Sequence, residues 1–182
     1  SHHYSLKCLE TGATFQDVID PTSGNLPLSS PRAERPAFLR SEYTNRSLEL
    51  FDESLGIYRY LQWLPVKRTL RGSSGPVTYK SKGLADLLGL PQLYITFSGY
   101  WPEIGATMRS GTFKECEAYA VAGRIGDDFS HTLVIASAGN TARAFHRVCS
   151  EHNIPLVIVI PESNLRSLWT TASGSDSVTV VA

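Results

Sequence analysis

Thr132-Leu133-Val134-Ile135-Ala136-Ser137-Ala138-Gly139-Asn140-Thr141-Ala142-Arg143-Ala144-Phe145 reads as a strand, a small-residue turn and the opening of a helix. Residues 132–136 form a short, continuous apolar run with β-branched members, the mark of a strand buried on both faces. The turn that follows leaves unpaired backbone N–H groups where a strand feeds a helix, the customary ligand position in an open α/β sheet. Such a turn suits a carboxylate or phosphate, helped by the Ser137 and Thr141 hydroxyls. It also serves as an ordinary helix cap, since Asn and Thr are common there.

Upstream lies a second peptide, Gly111-Thr112-Phe113-Lys114-Glu115, with a lysine beside an aromatic residue at a predicted helix start. A lysine nucleophile needs rigid backbone and partial desolvation so that its amine can lose its proton. A helix N-terminus disfavours the ammonium as well. Taken alone, Lys114 reads as a solvated surface lysine. One helix and one strand separate it from Asn140, which puts both peptides at one edge of the sheet. That pairing favours a functional reading.

Outward from this centre, further strands are expected at 93–97, 156–160 and 178–181, and helices at 81–88, 113–122, 141–152 and 163–171. Residues 98–111 read as a long loop. Short apolar runs separated by helices imply an α/β fold, an open and mostly parallel sheet with helices on both faces. Residues 1–70 form a separate leader region, beginning with alternating Tyr4, Leu6 and Cys8 as a strand and a returning strand at 15–19. Its Pro/Ser/Gly-rich stretch at 21–36 reads as a linker. A short helix is expected near 54–57, ended by Pro65. Residues 71–182 are the α/β domain, expected to be incomplete at its C-terminus because the chain stops just after a strand.

Composition narrows the class. The 182 residues carry 17 basic and 17 acidic side chains and are 42% hydrophobic, enough for a packed core. No clustered basic excess marks a nucleic-acid or membrane surface. No secretory leader or membrane-length apolar run is present, and a cytoplasmic location is expected. The three cysteines, Cys8, Cys116 and Cys149, are too scattered for a disulfide framework or a closed zinc site, and no metal is expected.

The Thr-Phe-Lys and Ser-Ala-Gly-Asn-Thr peptides resemble those of fold-type II pyridoxal-phosphate enzymes, the tryptophan synthase β-like group. Gly75-Pro76-Val77-Thr78-Tyr79-Lys80-Ser81 and Gly99-Tyr100-Trp101-Pro102-Glu103 extend the likeness toward the cysteate synthase family, relatives of threonine synthase. The resemblance implies pyridoxal 5'-phosphate carried covalently by Lys114, which also moves the proton at the substrate Cα. It implies Phe113 beside the cofactor ring and Asn140 on its 3-hydroxyl, with Ser137, Ala138 and Thr141 on the substrate carboxylate. The reaction implied is replacement of the phosphate of O-phospho-L-serine by sulfite to give L-cysteate, a step in coenzyme M biosynthesis, by a homo-oligomer acting on small molecules. Arg109 and Arg143 are candidate anion holders, or surface residues. Threonine synthase acting on O-phosphohomoserine, or a non-catalytic α/β module, are the alternatives.

The sequence departs from the pattern in three ways. Glu115 and Cys116 follow the lysine where threonine synthases have Asp-Arg, and the leader lacks the paired cysteines associated with the family. The family's glycine-rich cofactor-phosphate loop and the residue facing the pyridine nitrogen are not visible in this chain, which alone is expected to bind the cofactor poorly.

Overall fold

In the leader, alternation dictates the first strand. Tyr4, Leu6 and Cys8 are 4%, 4% and 0% exposed, and β1 (Tyr4–Cys8) lies at the centre of a three-stranded antiparallel sheet. Its neighbours are β2 (Thr14–Phe15) and β3 (Leu39–Tyr43). The computed structural model describes residues 3–20, 22–30, 33–170 and 174–182. Parts of the expected 21–36 linker (Pro21, Pro31 and Arg32) and the end of the 163–171 helix at Thr171 fall outside them.

The returning strand is shorter than expected. It gives way before Asp17, which turns inward to accept from the Tyr4 hydroxyl at 2.7 Å and from Arg124 at 2.7 and 3.0 Å. Arg124 also donates to the Pro27 carbonyl, tying the leader to the helix it belongs to.

The segment near 54–57 is a longer 3-10 stretch, Glu53–Trp63, kinked at Gly56 (φ 57°, ψ −125°). A Cβ on Gly56 would lie 2.4 Å from the Ser73 carbonyl, so this crossing requires glycine. Behind it the buried Tyr58 hydroxyl, pushed up to about 12 by burial, donates to the Tyr119 carbonyl at 2.8 Å.

β4 (Val77–Lys80), α1 (Gly83–Leu88) and β5 (Tyr94–Phe97) follow. The strand expected at 93–97 is present, but it pairs antiparallel with β4 and does not join the parallel sheet. Six helical residues ending at left-handed Gly89 turn the chain back beside β4 before it can cross a sheet face. The expected loop at 98–111 contains a small hairpin, β6 (Tyr100–Trp101) with β7 (Ala106–Thr107), closed by the Pro102–Ile104 turn and left-handed Gly105.

The α/β part is α2 (Lys114–Ile125), β8 (Leu133–Ala136), α3 (Asn140–His152), β9 (Leu156–Val159) and β10 (Val178–Val181). The three strands are parallel in the order β10-β9-β8. Register aligns Leu133, Leu156 and Val178 in one row and Ile135, Ile158 and Val180 in another. Apart from Val180, which is 39% exposed, these rows join a core shared with Ala118 and Tyr119 of α2 and Ala142 and Phe145 of α3. On the opposite face Val134, Val159 and Val181 are 66%, 42% and 46% exposed, with no helix over them among the described residues.

α2 runs past Gly123, which sequence reading took as its end. A Cβ there would sit 2.8 Å from the Arg68 carbonyl, and the Gly123 carbonyl accepts from Lys67 N–H at 2.9 Å. Gly123 therefore permits close packing, and Gly126 stops the helix. The expected helix at 163–171 is a short 3-10 stretch, Glu162–Ser167, with no buried residue to anchor a longer one.

Gly56→Ala should lower unfolding stability by about 2–4 kcal/mol. Gly12→Ala, also at positive φ but facing open space, should cost only about 1 kcal/mol. Denaturant melts followed by circular dichroism compare the two. Burial holds His146 and His152 below the usual histidine value of 6.5. The unfolded chain therefore binds the extra protons first, and stability should be full above that value and fall as pH drops below it. A chemical melt series across that range should show the slope, and His146→Gln should flatten it.

Candidate functional site

Lys114 is the first residue of α2, reached through a turn that glycine makes possible. Gly111 (φ 69°) donates to the Met108 carbonyl at 3.1 Å, and the Thr112 Oγ1 accepts from Lys114 N–H at 3.3 Å. The lysine Nζ lies 5.6 Å from the centre of the Phe113 ring and donates to Glu117 at 2.6 Å. Such a half-exposed pair one turn apart on a helix contributes only about 0.2–0.5 kcal/mol, so the amine is readily released.

Immediately after this lysine the chain turns a carboxylate inward. Glu115 is 1% exposed, and its Oε2 accepts from Ser110 N–H at 2.8 Å. Its Oε1 accepts from the Ser74 hydroxyl at 3.3 Å. Arg147 of α3, also buried, brings its Nε to 4.0 Å of Oε2 and donates through Nη2 to Glu151. Cys116 packs against the Ser74 carbonyl, and burial, with Glu115 beside it, pushes its thiol up to about 11. It is a packing cysteine and not a ready thiolate. A polar cavity of about 530 Å³, lined in part by Arg59, Ser74, Thr78 and Thr107, adjoins the same loop.

The second peptide opens α3. Ser137 Oγ accepts from Gly139 N–H at 3.3 Å, Ala138 packs on the core and Thr141 is half-buried at the first turn. No side chain caps the helix and no acid lies in its first turn, so its N-terminal amides keep their partial positive charge. Asn140 is exposed, and its Oδ1 accepts from Arg143. The Arg143 guanidinium stacks 3.7 Å over the Trp169 ring, and its buried Nε has no hydrogen-bond partner. Arg109 is exposed on the chain leading to the lysine turn.

The helices run the same way, with Glu115 opposite Arg147 and the Tyr119 ring 6.0 Å from His152. Asn140 opens α3 and so lies on the N-terminal side of the level at which Arg147 meets Glu115. Trp169 spans the two peptides. Its ring rests on Arg143, and Cη2 lies 3.9 Å from where a Gly111 Cβ would be. Sequence reading missed Glu115, Arg147 and Trp169 as members of this neighbourhood. For Glu115 a signal existed: it shares the helical spacing of the buried Ala118, Tyr119 and Ala122, where a carboxylate needs a partner.

Comparison with known proteins bears on this arrangement. The chain is 43% identical to the cysteate synthase of Methanoregula boonei over 173 residues, 95% of this chain and 39% of that protein. It is 39% identical to that of Methanosarcina acetivorans over 179 residues, 98% and 41% of the two. With that of Methanocorpusculum labreanum the identity is 40% over 167 residues, 92% and 38%. This chain is homologous to the cysteate synthase family. It spans about two fifths of the length of these cysteate synthases. No protein-family model matches it, and no solved structure matches it. The α/β class expected from sequence agrees with the fold and with a cysteate synthase homologue. No helix among the described residues is long and apolar enough to cross a membrane.

Arg143→Ala should leave the Trp169 ring without the guanidinium it rests on, a contact worth about 0.5–2 kcal/mol. Its emission, isolated by subtracting the Trp169→Phe spectrum, should shift red and quench more readily with acrylamide.

Proposed function

We propose that the protein is a pyridoxal-phosphate enzyme that replaces the phosphate of O-phospho-L-serine with sulfite, releasing L-cysteate and phosphate. The observation that carries this reading is the meeting of the Lys114 turn and the first turn of α3 at Trp169, in a chain aligned with cysteate synthases over most of its length.

The residues present fit the cofactor. A weakly paired amine stands at a helix start beside an exposed aromatic ring, opposite an uncapped helix N-terminus carrying an arginine with a buried, unpartnered Nε. When bound, pyridoxal phosphate supplies an electron sink that acidifies the substrate Cα–H and lets the β-substituent leave. Lys114 would hold it covalently, and its amine would take and return the proton at Cα. Phe113 would pack beside the ring, and the Asn140 amide would serve the ring 3-hydroxyl in place of its present bond with Arg143. Ser137, the Ala138 N–H and Thr141 hold the substrate carboxylate at the α3 N-terminus. Arg143 faces the second anionic group, phosphate leaving or sulfite arriving. No residue of this chain is assigned to the cofactor phosphate or pyridine nitrogen.

Two substitutions in the intact protein test this. Lys114→Ala should abolish the visible band of lysine-bound pyridoxal phosphate, its fixation by borohydride, and turnover of O-phosphoserine with sulfite. A yellow, active variant would sink the assignment, and preferred turnover of O-phosphohomoserine would move the protein to threonine synthesis. Asn140→Ala should weaken cofactor retention by about 1–2 kcal/mol, roughly 5- to 30-fold, while the covalent link survives.

A further inference from the structure

The residue after the lysine departs from the pattern expected there, and its surroundings give it a job. Three stretches converge on the Glu115 carboxylate carried by α2. The turn before Lys114 gives the Ser110 amide, the loop at 71–75 gives the Ser74 hydroxyl, and α3 brings Arg147. Gly56 passes so close to the Ser73 carbonyl that a Cβ would lie 2.4 Å from it, and Ile57 N–H donates to the Ser73 hydroxyl at 3.2 Å. Position 116, next to it, holds a packing cysteine and no cation. The positive partner comes instead from a helix that also carries Asn140 at its start.

We propose that Glu115 is a positioning residue: its pairing with Arg147 and its grip on Ser110 fix Lys114 relative to the first turn of α3. The lysine is held on both sides, at Ser110 before it and at Glu115 after it, so its Cα can neither slide along the helix nor unwind. Methionine is close to glutamate in length and carries no comparable acceptor. At position 115 it leaves both the Ser110 amide and the Ser74 hydroxyl without the oxygen they donate to. The inference rests on the proposed role of Lys114 only for its spectroscopic readout.

The test compares Glu115→Met, Arg147→Met and the double variant in the intact protein, each well below its own unfolding midpoint. Two quantities are read: the rate at which added pyridoxal phosphate forms its lysine-bound band, and hydrogen exchange of the amides at 108–114 without cofactor. Both single variants should form the band about tenfold more slowly or worse, and exchange at 108–114 should speed up. The double variant removes both charges and should recover melting temperature, since a neutral pair replaces an unbalanced one. It should not recover the band rate or the protection, because nothing grips Ser110. A double variant that recovers all three, or single variants matching wild type in rate and exchange, would overturn the proposal. If the single variants do not fold, the double variant decides alone. If wild-type protein forms no band, the role given to Lys114 fails, and the exchange at 108–114 still decides whether Glu115 is the clamp.

Discussion

The ion pair between Glu115 and Arg147 joins the two helices whose first turns form the candidate site, and it does so almost out of contact with water. Removing a carboxylate and a guanidinium from solvent costs several kcal/mol each, and the attraction between them returns that only when remaining lone pairs and protons are satisfied. Here the Ser110 amide and Ser74 hydroxyl complete the carboxylate and Glu151 takes a guanidinium N–H, while the Arg147 Nε, 4.0 Å from Glu115 Oε2, has no hydrogen-bond partner among the described residues. Deleting Arg147 strands the carboxylate, a loss of about 3–5 kcal/mol, whereas deleting Glu115 leaves Arg147 its Glu151 partner. The same charges lie near the Tyr119 hydroxyl, which burial, aided by Glu151 and Glu115, holds far above its ordinary value. Tyr119 stays neutral and packs between α2, the Arg71 carbonyl and His152.

Parallel helices carry a consequence of their own. With α2 and α3 pointing the same way, their positive ends lie toward one region. α2 offsets its own end with Glu115 and Glu117 in the first turn, whereas α3 has no acid there and carries Arg143 instead. An arrangement tuned only for stability would reverse that choice at α3, because anions are favoured at helix N-termini and cations at C-termini. The asymmetry leaves the first turn of α3 the more positive of the two helix starts.

Much of this could be read from the chain. Strands β8, β9 and β10 announced themselves as β-branched runs, and α3 as a helix following a small-residue turn. Periodicity says whether a segment is a strand, not which strand it pairs with, so Tyr94–Phe97 was found but its antiparallel partner was not. Leu39–Tyr43 was invisible because Arg40, Ser41 and Glu42 dilute its pattern, and only the β1 ladder makes it a strand. At the site, Lys114, Phe113, Ser137, Ala138, Asn140 and Thr141 were named from two local peptides. Trp169 could not be, since its contacts with Arg143 and Gly111 depend on how the chain returns after β9.

The bare side of the parallel sheet has a practical bearing. Val134, Val159 and Val181 present an exposed aliphatic surface, and among the described residues β10 and β8 are the outer strands of its sheet, with no strand paired along their far sides. Surfaces of this kind recruit their own likeness, first by contact of the valine rows and then by ladder growth from the edges. In a test tube the polypeptide should therefore have a low solubility ceiling, reached sooner in sulfate-type salts that strengthen apolar association, and its handling will be governed by colloid chemistry well before it is limited by unfolding.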